Sequence, residues 1–157
     1  MITLNFERLY FLREEKEITQ QALATIIGVK QVNISNWENT KEIIPLDRLN
    51  MYANYFEVSF DYITGLSDKK RKTKNIELNK KVIGNNLKKI RKELHLTQLD
   101  LAHLLNTSHS TISAYESGKT MLLTAFAYQI CEKYNISFDW LVGRSNNKYL
   151  KQKNLSA

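Results

Sequence analysis

The chain has 157 residues, 43% hydrophobic and 25% charged, with one proline, five glycines and one cysteine. This is enough apolar material for one ordinary core or two small ones, which excludes wholesale disorder, and the scarcity of proline and glycine favours helices. The lone Cys131 excludes an internal disulfide or a Cys-rich zinc site, no apolar run approaches the ~18 residues of a membrane span, and no secretory signal opens the chain, so a cytoplasmic protein is expected, its Lys, Asn and Ile richness hinting at a bacterial source.

Shifted by 78 residues, the chain matches itself without a gap. Leu9, Arg13, Thr19-Gln20, Leu23-Ala24, Ile34-Ser35, Glu38 and Lys41 meet Leu87, Arg91, Thr97-Gln98, Leu101-Ala102, Ile112-Ser113, Glu116 and Lys119. Ser59-Phe60-Asp61 and Gly65 meet Ser137-Phe138-Asp139 and Gly143. The expected division is a first unit at 1–66, a basic linker at 67–81, a second unit at 82–144 and a basic tail at 145–157.

Within each unit the spacing is helical. Ile83, Leu87, Ile90 and Leu94 fall on one face of a first helix. Thr19 and Thr97 are placed to cap a second helix, which Gly28 or Asn106 ends with a left-handed residue. A third helix turns Ile34 and Trp37, or Ile112 and Tyr115, inward. A fourth carries Leu46, Leu49, Tyr52, Ala53 and Phe56, or Ala127, Ile130, Cys131 and Tyr134, with Pro45 at its edge. A short fifth turn carries Phe60 and Ile63, or Phe138 and Leu141. The expected fold is all-α: two tandem five-helix units.

Charge is uneven along this plan. Residues 1–66 hold six Lys/Arg against nine Asp/Glu, whereas residues 67–82 hold seven against two and residues 144–157 four against none. Such basic segments suit a polyanion. Lys69, Lys70, Arg71, Lys72 and Lys74 are expected either to follow DNA or to form a self-repelling extended spacer. Enzyme chemistry finds no foothold: there is no Gly-rich phosphate loop, no His-Glu-x-x-His and no CxxC, and His95, His103 and His109 lack ligand spacing. No cofactor, metal or small-molecule ligand is expected.

The segments Thr19-Gln-x-x-Leu-Ala…Ile34-Ser-x-Trp-Glu38 and Thr97-Gln-x-x-Leu-Ala…Ile112-Ser-x-Tyr-Glu-Ser-Gly-Lys119 resemble the helix-turn-helix of Cro/cI-type regulators, the XRE family with its lambda-repressor-like fold. The endings Ser-Phe-Asp-Tyr-Ile-Thr-Gly65 and Ser-Phe-Asp-Trp-Leu-Val-Gly143 resemble that family's last turn. The resemblance implies double-stranded DNA as the partner, with a homodimer as a further expectation, and a regulator of transcription, most simply a repressor. In such a motif the second helix enters the major groove and presents its N-terminal residues to base edges. These are Lys30, Gln31, Val32, Asn33 and Asn36 in the first unit, and Ser108, His109, Ser110, Thr111 and Ala114 in the second. The Gln and Asn amides suit adenine, whereas the small groups of the second unit promise weaker readout. Phosphate contacts are expected from Gln20 and Gln98, from Asn39 and Lys41, and from Ser117, Gly118 and Lys119. Thr40, where the second unit has glycine, is expected to leave its loop less able to bring a backbone N–H close to a phosphate. Arg13 with Glu38, and Arg91 with Glu116, match a structural ion pair of that family.

About ten linker residues reach ~35 Å when extended, and successive groove faces lie ~34 Å apart. One chain is therefore expected to serve as a covalent substitute for a dimer on an asymmetric site. The alternative is an antitoxin-like or anti-defence module, its acidic first unit holding a protein or dimerising while the second unit binds its own promoter.

Overall fold

The computed structural model describes residues 4–151, and among these the regular structure is helical. The first unit comprises α1 (Glu7–Glu15), α2 (Gln20–Ile27), α3 (Gln31–Glu38), α4 (Leu46–Phe56) and α5 (Phe60–Thr64). The second comprises α6 (Lys80–Glu93), α7 (Gln98–Leu104), α8 (His109–Glu116), α9 (Thr124–Tyr134) and α10 (Phe138–Leu141). Thr19 and Thr97 cap α2 and α7 as their side-chain chemistry allows, and Asp100 completes a capping box with Thr97. Apolar stripes of all ten helices close into cores holding Leu9, Leu23, Ile34, Leu49 and Tyr52 in one unit and Leu87, Leu101, Ile112, Ile130 and Phe138 in the other.

The repeat extends to the backbone. Left-handed φ values occur at Glu17, Gly28, Thr40, Glu57 and Gly65, and again 78 residues on at His95, Asn106, Gly118, Asn135 and Gly143. Thr40 keeps the left-handed conformation of Gly118 (φ 55° against 76°) despite its branched side chain. Its hydroxyl accepts the Phe6 N–H at 3.4 Å.

Gly84 departs from the repeat for a steric reason. A Cβ there would sit 2.2 Å from the Tyr115 carbonyl oxygen, so α6 closes on α8 more tightly than a side chain permits. Asn79 caps α6, which starts at Lys80, within the stretch that charge assigned to the linker.

Two of the linker's lysines are paired with the first unit rather than free. Lys70 pairs with Glu15 at 2.7 Å and Lys72 with Glu57 at 3.2 Å, while Asp68 pairs with Arg8 at 2.7 Å. Lys70 and Lys72 thus lie against the acidic first unit. The start of the basic tail is likewise built in: Lys148 O accepts the Ser137 N–H, and Ile136 bridges Tyr149. Residues 152–157 of that tail lie outside the described residues.

The two units meet through α5 and α10. Phe60 and Phe138 pack edge to face with centroids 5.2 Å apart. The Asp139 carboxylate accepts the N–H groups of Phe60 (2.8 Å) and Asp61 (2.9 Å). Reciprocally, Asp61 accepts the Phe138 N–H and the Ser137 hydroxyl, both at 2.6 Å. Each unit's aspartate thus satisfies the orphan amides at the start of the other unit's last helix. Contacts that exchange in this way define an isologous, two-fold-like pairing within one chain. Arg144 locks it. Its buried guanidinium donates to Asn50 and Asn54 on α4 (2.6 Å each) and to Thr73 of the linker (3.1 Å).

Candidate nucleic-acid interface

Each unit sets its α2–α3 or α7–α8 pair by the same buried network. Arg13 and Glu38 form a two-pronged ion pair (2.5 and 3.1 Å), and Arg91 and Glu116 repeat it (2.7 and 3.0 Å). The third guanidinium arm donates to the carbonyl of Ile18 or Leu96, at 2.8 Å in both units. The glutamate bond holds both arginines above their ordinary pKa, so their charge is permanent. Breaking one partner strands a buried charge, so the pair fixes geometry more than it adds net stability.

Gln20 and Gln98 extend this network. Their amides donate to Glu38 (2.9 Å) and Glu116 (3.3 Å). Gln20 then accepts from Gln31 at 2.5 Å, a link that sequence spacing did not anticipate. The side chain of the first residue of α3 is thereby positioned by a chain running back to Arg13. Its counterpart in the second unit, His109, is exposed, and the Gln98 amide ends on Glu116.

The remaining candidates fall where the helical period puts them. Ile34 and Trp37 are buried, so Lys30, Gln31 and Val32 face outward, Val32 at 53% exposure, with Asn33 and Asn36 half-buried beside them. On α8, Ser108, His109 and Ser110 are exposed, and Thr111 and Ala114 are half-buried. Ser108 caps α8, and its hydroxyl also meets those of Ser110 (3.0 Å) and Thr111 (2.8 Å). These groups are engaged with one another, which leaves fewer free donors than the Gln and Asn of α3. After the recognition helices, Asn39 donates to Ser35 O and Ser117 to Ala114 O, while Lys41 and Lys119 are exposed.

Sequence reasoning missed Arg144 and the inter-unit role of Asp61 and Asp139. The identical Ser-Phe-Asp triplets were a signal for the aspartates. For Arg144 the only signal was that the repeat fails there, opposite Leu66. Among the described residues no group of three or more His, Cys, Asp or Glu side chains is placed to hold a metal, and no helix is long and apolar enough to cross a membrane.

Two helix pairs, each with an outward polar face on its second member, define a tandem helix-turn-helix protein. Comparison with known families agrees. A helix-turn-helix domain model matches residues 6–69 and a helix-turn-helix model matches residues 87–141. The chain therefore carries two helix-turn-helix domains of the XRE type, a DNA-binding class of domain. It is 39% identical over 62 residues to Antitoxin PezA of Streptococcus pneumoniae, covering 40% of this chain and 39% of that protein. It is 37% identical over 62 residues to the uncharacterized HTH-type transcriptional regulator YobD of Bacillus subtilis, covering 40% of this chain and 55% of that one. The chain thus matches only about half the length, or less, of these relatives.

Proposed function

We propose that this chain is a repressor that occupies promoter DNA as a covalent pseudo-dimer, one chain per operator. The observation that supports this reading is the reciprocal Asp61–Asp139 exchange, which joins two helix-turn-helix units as paired halves of one body. Two recognition helices related by a two-fold-like axis suit successive major-groove faces ~34 Å apart. Lys30, Gln31, Val32, Asn33 and Asn36 read one half-site, with adenine the natural partner of the amides. Ser108, His109, Ser110, Thr111 and Ala114 read the other more loosely. Gln20, Asn39, Lys41, Gln98, Ser117 and Lys119 hold phosphates. Because the recognition helices differ, the operator is asymmetric.

The test is a footprint, with stoichiometry, on the DNA upstream of the chain's own gene. One chain protecting two unlike half-sites a helical turn apart supports the proposal. A palindrome bound by two chains, each through one unit, overturns it. The similarity to an antitoxin and the acidic first unit favour a second reading, in which the first unit holds a protein. That reading predicts a footprint confined to the half-site of α8.

A further inference from the structure

The same helix position carries opposite chemistry in the two units. On α1 the exposed face presents Tyr10, Phe11 and Glu14, flanked by Glu7 and Glu17. The two rings, 42% and 49% exposed, pack edge to face with centroids 5.4 Å apart. Seventy-eight residues on, the exposed face of α6 presents Lys88, Lys89 and Lys92 in place of Tyr10, Phe11 and Glu14. Lys80 and Lys81 continue this basic surface toward the start of the helix. Arg13, itself buried, lies 5.5 Å from the Tyr10 ring centre and 3.3 Å from Glu14, yet Tyr10, Phe11 and Glu14 remain exposed to solvent.

We propose that chains associate head to tail, the aromatic and acidic face of α1 on one copy docking on the lysine face of α6 on the next. The chemistries are complementary in two ways. Glu7 and Glu14 meet lysine ammonium groups, and the Tyr10 and Phe11 rings offer π-faces to the same cations, an attraction that strengthens as the contact is desolvated. The chain uses this pairing internally: Lys16 lies 5.7 Å from the Tyr55 ring centre, Lys133 lies 5.8 Å from that of Tyr134, and Lys148 lies 5.1 Å from that of Trp140. Lysine stems also cover apolar rings while their heads stay hydrated. The contact is heterologous, α1 to α6 and never α1 to α1, so it does not close on itself and leaves a free face at each end. Neighbouring operators would then be filled cooperatively without a separate oligomerisation domain.

The experiment is sedimentation velocity on the full chain without DNA, at about 0.1 mM protein in about 30 mM and about 500 mM salt, which moves the Debye length from ~20 Å to below 5 Å. The expected result is a weight-average mass rising roughly twofold or more above one chain at low salt and falling back at high salt. E14K alone and K88E/K92E alone stay at the mass of one chain. Mixed, they form a one-to-one pair, because each supplies the face that the other lacks. F11A gives a second, charge-neutral probe that also weakens association, and circular dichroism checks the fold of every variant. A wild-type chain that keeps single-chain mass at low salt overturns the proposal. So does self-association of K88E/K92E alone, which would mean α1 meets α1.

Discussion

The Asp61 and Asp139 carboxylates lie across the seam between the units, each bonded to backbone amides at the start of the other's last helix. Burial first, and then the neighbouring Asp61 charge, push the Asp139 carboxyl up to about 7. Arg144 Nε, 3.6 Å away, and the Phe60 and Asp61 amides oppose that rise. A carboxyl raised on folding binds its proton more tightly in the native state, so its stabilising share is full near pH 4 and is lost as pH climbs through about 7. Urea midpoints should therefore fall between pH 5.5 and pH 8, by an amount on the order of tenths of a molar to one molar given typical denaturant slopes. D139N should flatten that slope while leaving the helices folded. An identical pH dependence in D139N and the parent would exclude this seam as its source.

The ion pair at the root of the first recognition helix makes a sharper claim. R13L leaves Glu38 buried without its guanidinium and should cost about 3–5 kcal/mol, whereas R13L/E38L should cost clearly less. A double-mutant cycle by urea denaturation measures the difference. Additive losses would mean the two side chains act independently, against their two bonds.

Arg144 should behave as the tie between units. R144A removes donors from Asn50, Asn54 and Thr73, all buried or half-buried. Trypsin should then cut faster after Lys69, Lys70, Arg71, Lys72 and Lys74. R144K should rescue little, because an ammonium cannot span three acceptors with the planar geometry of a guanidinium. Unchanged cutting in R144A would detach the linker from this residue.

The helices and their apolar faces were legible because a 3.6-residue period and an unbroken 78-residue repeat encode them in one dimension. Leu9, Ile34, Trp37 and their counterparts are buried where that period placed them. The exposure of Gln31 and His109 followed from the same period. What could not be read was reciprocity across the seam, since Asp61 and Asp139 look like two copies of a local cap until the units are docked. The pairing of Lys70 and Lys72 was illegible for a related reason: Glu15 and Glu57 reach them only through tertiary packing. The left-handed backbone of Thr40 was illegible because it runs against that residue's own preference.

Thr40 and Gly118 yield opposite predictions from one backbone shape. A left-handed non-glycine residue is strained by roughly 1–2 kcal/mol, and glycine returns part of that by loosening the unfolded chain. T40G should therefore be neutral or stabilising by up to about 1 kcal/mol in thermal or urea unfolding. G118A should be destabilising by more than that, because its Cβ would lie 3.0 Å from Lys81 Cα in addition to carrying the positive φ. Equal effects at the two positions would show that α6 does not press on this loop.

Gln20 joins the structural network to the groove-facing surface, and this separates the two units in a DNA-binding experiment. Its amide is anchored on Glu38 and its carbonyl accepts from Gln31, so Q20A frees the Gln31 side chain to rotate and, under the proposed function, also removes a phosphate contact. In competition binding, Q20A should lose affinity and also relax preference at the adenine read by Gln31, as Q31A does, at about 1–3 kcal/mol per good base contact. Q98A lacks the onward link, because the His109 ring replaces the amide. It should weaken specific and scrambled sequences alike and reduce the salt slope by about one. If Q20A and Q98A lower affinity uniformly and equally, the relay from Arg13 through Glu38 and Gln20 carries no sequence information, and Gln31 reads DNA, if at all, from a position set only by its own helix.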